Sequence, residues 1–105
     1  MTVKELSERQ EFSVIAMPEP EREVHGVYIG DLLSWVMGKA SSDNAWITIM
    51  SNINVLAVAS LCDVSTVILC EGVTLTDEIV SSAKEKGVNV LMTELSAYET
   101  AVLLS

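Results

Sequence analysis

Histidine, cysteine, proline, glycine and positive charge are all scarce in this chain, and each shortage removes a class of protein. His25 is the only histidine, so no histidine pair and no histidine-rich metal site can form. Cys62 and Cys70 are too few for a disulfide framework, and their spacing of eight matches no zinc motif. Free thiols in a reducing cytoplasm follow as the reading. No glycine is followed by Lys-Ser or Lys-Thr, so the chain has no P-loop to cradle phosphates. Gly26 and Gly30 are spaced as Gly-x-x-x-Gly, which is not the dinucleotide fingerprint. Only 6 Lys plus Arg stand against 15 Asp plus Glu, a formal charge of −9. Nucleic acid needs a basic face to displace its counterions, and an anionic membrane surface needs basic residues too. Lys4, Glu5, Glu8 and Arg9 interrupt any apolar run at the start, against a signal peptide.

Hydrophobic residues make up half of the 105 and mean hydropathy is +0.40. A chain of this length supports one domain over 1–105, burying somewhat under about 70% of its unfolded surface. Residues 44–62 carry no charge, a run of membrane-spanning length. Its middle reads Ser51-Asn52-Ile53-Asn54, which would place two amides and a hydroxyl near a bilayer centre. A strand over Trp46–Ile49, a polar turn and a core helix over Val55–Ala59 explain it better.

Strands and helices alternate along the chain. Thr2 caps a short helix over Val3–Arg9, and Phe12–Ala16 reads as a strand stopped by Pro18 and Pro20. Residues 18–23 form a polar loop within the domain. Val24–Ile29 is apolar enough for a strand, and Gly30-Asp31 starts a helix whose face is Leu32, Leu33, Val36 and Met37. Ala45–Met50 is the next strand and about Ile53–Leu61 the next helix. Ser65–Cys70 is β-branched and uncharged, as in a strand buried on both faces. Glu71-Gly72 turns the chain. Thr76-Asp77-Glu78 opens a helix with acids in its first turn, Lys84 and Lys86 in its last, and Gly87 as a left-handed cap. Val88–Met92 is a final strand, and Ser96 begins a last helix. This order predicts a three-layer α/β/α domain around a mostly parallel sheet of about five strands.

Four separated blocks then resemble one family. Val24-His25-Gly26-Val27-Tyr28-Ile29-Gly30-Asp31-Leu32-Leu33-Ser34, Trp46–Ile49, Asn54–Ala59 and Thr93–Ala101 are similar, in order, to the DRTGG domain family. That family is related to the N-terminal domain of HPr kinase/phosphorylase and occurs alone, in phosphotransacetylases and in CBS-domain pyrophosphatases. The resemblance implies a regulatory or assembly module, often a homodimer, and not a catalytic domain. The chain departs from the pattern at Val27, where a second glycine is usual, and at Gly30 and Asn52, where relatives often carry serine and histidine.

Open α/β sheets bind ligands beyond the carboxyl ends of their strands, where helix N-termini present free N–H groups. The candidate ligand residues there are Gly30, Asp31, Ser51, Asn52, Asn54 and Thr93. Asp31 at a helix start reads first as a cap and second as a ligand group. Ser51, Asn52 and Asn54 interrupt the most apolar segment; they read first as a capped, satisfied strand-to-helix turn and second as a small-ligand or interface site, since amides buried there would need backbone, water, ligand or partner. Trp35 falls off the stripe of its helix, and with Tyr28 is a candidate interface residue for a homodimer or a partner protein. Packing under a neighbouring loop is its alternative. His25 reads as a half-buried strand residue, the thiols as inert, and Met37, Met50 and Met92 as core filler. The sequence thus predicts no catalytic residue, cofactor or metal, and a regulatory module with a small effector. The alternative is a small enzyme acting at the strand ends.

Overall fold

In the computed structural model, which describes all 105 residues, the chain begins with a capping box at Thr2. The Thr2 hydroxyl accepts from Glu5 N at 3.1 Å while Glu5 Oε1 accepts from Thr2 N at 2.8 Å, opening α1 (Val3–Ser7). Then follow β1 (Ser13–Ala16), β2 (Val27–Ile29), α2 (Leu33–Lys39), β3 (Ala45–Thr48), α3 (Asn54–Cys62), β4 (Thr66–Leu69), α4 (Asp77–Lys86), β5 (Val90–Met92) and α5 (Ala97–Leu104). The strands form one sheet in the order β1-β5-β4-β3-β2. Three pairings are parallel, and only the edge strand β1 runs antiparallel, against β5.

The two-residue period of the strands divides the core. Trp46, Val67, Leu69 and Val90 face one side, where Val36 of α2, Leu56 of α3 and Ala83 of α4 cover them. Ala45, Ile47, Ile68 and Leu91 face the other, under Val3 and Leu6 of α1 and the half-buried Ala97 and Ala101 of α5. Every residue of β3 and β4 is buried, as the β-branched run of β4 predicts for that strand. Each buried Leu, Ile or Val contributes about 1.5–3 kcal/mol. The α/β/α layering expected from the sequence is present. No helix is long and apolar enough to cross a membrane.

The caps of α4 and α5 fall where the sequence puts them. Thr76 accepts from Ile79 N, Gly87 closes α4 at φ +72°, and Ser96 and Glu99 form a second capping box. The polar loop over 18–23 is strapped to the sheet. Asn89 Nδ2 donates to Glu19 O at 2.7 Å and to Ser65 O at 2.9 Å, and its Oδ1 accepts from Glu19 N. Arg22 bridges Asp43 at 2.7 Å and Asp63 at 3.1 Å.

Several expectations need correcting. Helix α1 stops at Ser7, and β2 starts only at Val27, because Val24 N bonds Met1 O and His25 N bonds Asp43 O before Gly26 turns at φ +79°. His25 is therefore outside the strand and exposed. The predicted stripe of α2 is mostly uncovered: Val36 is buried and Leu33 half-buried, while Leu32 and Met37 face solvent. Helix α2 packs on α3 beside a three-residue edge strand, so half of its circumference has no sheet beneath it.

Candidate functional site

The carboxyl ends of β2 to β5 make a rim carrying all six candidate ligand residues. At the end of β2 the backbone turns out through Gly30 and Asp31, and β3 with the residue after it holds this corner by four hydrogen bonds, one of them from Gly30 N to Ile47 O at 3.2 Å. Trp46 Nε1 donates to Gly30 O at 2.9 Å, while the buried Thr48 hydroxyl and Ile49 N donate to Asp31 Oδ1 at 2.7 and 3.0 Å. Asp31 is therefore no helix cap. Leu32 stands at the cap position of α2 with no side-chain bond, because β3 has already drawn the carboxylate to itself.

Beyond β3, the turn Ser51-Asn52-Ile53-Asn54 is exposed throughout. The turn is capped locally and no amide of it is buried. Asn52 Oδ1 accepts from Asn54 N at 2.9 Å, and Val55 N and Leu56 N bond the carbonyls of Asn52 and Ile53. The first amides of α3 are thus satisfied locally, so this helix end offers no open anion cradle. The Ser51 hydroxyl and the Asn54 side chain have no protein partner and face solvent.

Thr93 closes the far side of the rim. It is buried, its hydroxyl accepts from Leu95 N, its N–H donates to Leu69 O, and its carbonyl accepts from Gly72 N. Two strand spacings separate β5 from β3, about 10 Å. Asp31 and the Ser51–Asn54 turn therefore lie together, and Thr93 lies apart from them across the end of β4.

Between them stands the Glu71-Gly72 turn, a strand-end junction that the sequence also marks. Glu71 takes φ +59° and Gly72 φ +74°. A Cβ on Gly72 would lie 2.5 Å from Glu94 Oε2, so this glycine lets the Glu94 carboxylate close over the turn. The segments 29–34, 49–55, 70–76 and 92–97 that build the rim include Asp31, Glu71 and Glu94 but no Lys, Arg or His. Such a rim suits uncharged hydrogen-bonding groups and repels bare phosphate.

The remaining reactive groups do not join it. His25 lies at the opposite end of the sheet, where its N–H bonds Asp43 O. Burial pushes the Cys62 thiol up. Burial also raises Cys70, with the Glu71 and Asp31 carboxylates adding to it against an opposing backbone hydrogen bond. No group of three His, Cys, Asp or Glu residues is placed to hold a metal ion. The larger cleft, about 380 Å³, is also at the opposite end, among Glu19, Arg22, Ser60, Asp63 and Lys86. Arg22 there is spent on its two aspartates.

Of the two candidate interface residues, Trp35 is 59% exposed with Lys39 Nζ 5.0 Å from its ring centre. Tyr28 is half-buried, and its ring folds over Gly30, where a Cβ would meet Tyr28 Cε2 at 2.9 Å. The outward side of α3 had no signal in the sequence reading. Ile53, Ala57 and Leu61, spaced by four, are all exposed, and Leu61 is 71% so.

The pattern describing the DRTGG domain matches residues 13–105. Among solved structures, the fold is similar to that of the CBS and DRTGG domains of the regulatory region of Clostridium perfringens pyrophosphatase, a complex with its activator, diadenosine tetraphosphate. The TM-score is 0.66 at 20% identity, over 89% of this chain. The chain spans 40% of that structure's length. No curated protein matches the sequence.

Proposed function

The chain belongs to the DRTGG domain family, and from that premise we propose that it is a non-catalytic regulatory module that acts by pairing with a second copy of itself through α2 and α3. The observation that carries this reading is that the solvent side of α3 is largely apolar, with Ile53, Ala57 and Leu61 exposed alongside Asn54 and Ser60. Its inner residues Val55, Leu56, Val58 and Ala59 are buried, and its outer stripe is Ile53, Ala57 and Leu61. An exposed apolar stripe of this kind, on a helix whose other side is already buried, marks a partner surface. Leu32 and Trp35 of the adjoining α2 extend the same surface.

A symmetric contact suits it, because every acidic residue except Asp31 and Asp43 lies outside segment 29–62. Two molecules of charge −9 can meet there with their like charges held apart. Sedimentation equilibrium tests the reading. The parent chain is expected to be a dimer at micromolar concentration, and Trp35→Glu and Leu61→Lys monomers. A monomeric parent, or variants that stay dimeric, would overturn it.

The exposed Ser51, Asn52 and Asn54 turn beside Asp31 favours a small effector at the rim. The regulatory region of the similar structure binds a dinucleotide. Here the carboxylates of the rim favour contact with base and ribose, and a polyphosphate would arrive with its divalent cation. Thermal unfolding with adenosine, and with diadenosine tetraphosphate with and without Mg²⁺, tests this. A ligand at about a hundred times its Kd adds about 2.7 kcal/mol of stability. The shift is expected to vanish in Asn54→Ala, and a flat panel would restrict the module to protein contacts.

A further inference from the structure

A second apolar surface lies on the opposite face of the molecule from α2 and α3. Helix α5 turns Ala97, Thr100 and Ala101 toward the sheet. Tyr98 and Val102, one turn apart, point away and are 76% and 52% exposed. With Leu95 and Leu103 they line a shallow groove of about 350 Å³, completed by Glu11 from the segment before β1 and by Glu99. Ser96 holds the Glu99 carboxylate below its ordinary range, through its backbone N–H and then its hydroxyl, so this carboxylate is charged at neutral pH. Arg9 Nη1 donates to the Leu103 carbonyl at 3.4 Å, so one cation stands at the groove against the two carboxylates that line it. The groove is therefore an apolar floor rimmed by negative charge.

We propose that this groove docks a basic amphipathic helix of a partner protein. Charge complementarity chooses the occupant. A helix with Leu or Ile on one face meets Tyr98 and Val102, and flanking Lys or Arg meets Glu11 and Glu99. Tyrosine is among the residues that anchor such contacts. A second copy of this chain fits badly, because a symmetric contact across α5 brings both copies of Glu11 and Glu99 to one place. Nucleic acid and anionic membrane are repelled by the same carboxylates. About three turns of helix, 11 or 12 residues, suffice to cover the stripe and reach past it on both sides. The inference is independent of the pairing through α2 and α3, which uses the other face of the sheet.

Fluorescence anisotropy with labelled 18-residue peptides tests it on the intact chain at 0.15 M salt. The probe is a Leu/Lys peptide patterned as an amphipathic helix. A Ser/Lys peptide of equal charge and a Leu/Glu peptide of equal apolarity serve as references. The Leu/Lys probe is expected to bind at least tenfold more tightly than either reference. Tyr98→Ser and Val102→Ser each are expected to remove that margin, and Glu11→Gln to reduce it about threefold. Trp35→Glu is expected to leave it unchanged. Both stripe residues are exposed, so their substitution spares the core, and circular dichroism verifies the fold. A margin below tenfold, or one that survives both serine variants, overturns the proposal. So does a margin lost in Trp35→Glu, which would place the peptide on α2 and α3. Sedimentation showing that Tyr98→Ser breaks a dimer would give the groove to a second copy and overturn it as well.

Discussion

Replacing Asp31 by alanine is the sharpest test of how the rim is built. One oxygen of this carboxylate accepts from the Thr48 hydroxyl at 2.7 Å and from Ile49 N at 3.0 Å. Ile49 N stands beside solvent, so water replaces that bond at small cost. Thr48 is buried, and without Asp31 its hydroxyl proton loses its acceptor. A hydrogen bond to a charged group contributes about 1.5–3 kcal/mol, and an orphaned buried donor costs about 1–3 kcal/mol. Asp31 itself is exposed, which puts the expected loss near the lower end, about 2 kcal/mol. For a domain this size that lowers Tm by roughly 10 °C. Chemical denaturation and calorimetry read it directly. Asp31→Asn keeps an acceptor oxygen and is expected to lose less than half as much. A double-mutant cycle with Thr48→Val is expected to give a coupling of about 1 kcal/mol. An Asp31→Ala protein within 2 °C or so of the parent, or a cycle that simply adds, would refute the reasoning. Asp31 would then be a rim group free for ligand.

Further outcomes follow from other contacts. Gly72→Ala is expected to cost more than Gly87→Ala: both hold positive φ, but only Gly72 sets a Cβ against Glu94, and Glu94→Ala should recover part of the difference in a denaturation series. Asn89→Ala removes three hydrogen bonds, two that strap the loop at Glu19 and one to Ser65 O, and about 3 kcal/mol of stability is expected to go, with faster proteolysis within 17–24. Glu5 and Glu99, held below 4.5 chiefly by the backbone N–H groups of Thr2 and Ser96, and Asp63, held below 3.8 chiefly by the Ser42 hydroxyl, stabilise the fold fully above those values. That contribution is lost as pH falls through their lower folded values, so Tm is expected to drop below about pH 4.5, less steeply in Asp63→Asn. Cys62 and Cys70, both with raised pKa, are expected to react with a disulfide reagent at pH 7.5 far more slowly in the native protein than in urea.

The elements of this fold are written locally, and so they were legible. Thr2, Thr76, Ser96 and Gly87 mark helix ends through contacts three or four residues away, and the uncharged, β-branched run around Thr66–Leu69 announces a strand covered on both faces. The scarcity of cations is equally a property of the sequence alone, and it carries through to a rim without Lys or Arg. Periodicity failed at α2, where it predicts a full apolar face and only Val36 is buried. A stripe reports which residues could be covered, and whether a layer lies beneath them depends on the width of the sheet.

The tertiary structure alone decided the rest. Asp31 reads as a helix cap until β3 is placed beside β2, when a threonine 17 residues away takes its carboxylate. Ser51, Asn52 and Asn54 read either as a capped turn or as polar groups in need of a partner, until the turn is seen to stand clear of the sheet with Asn52 capping it. Thr93 joins the rim about 10 Å from the turn after β3, and a further strand spacing from the end of β2, because β4 lies between β3 and β5. Glu11 and Glu99, far apart in the chain, border one groove because β1 returns antiparallel beside β5. Local sequence sets the shape of each element within a few residues. Which carboxylates and which apolar side chains share a surface is set by strand order, through contacts between residues that no short pattern links.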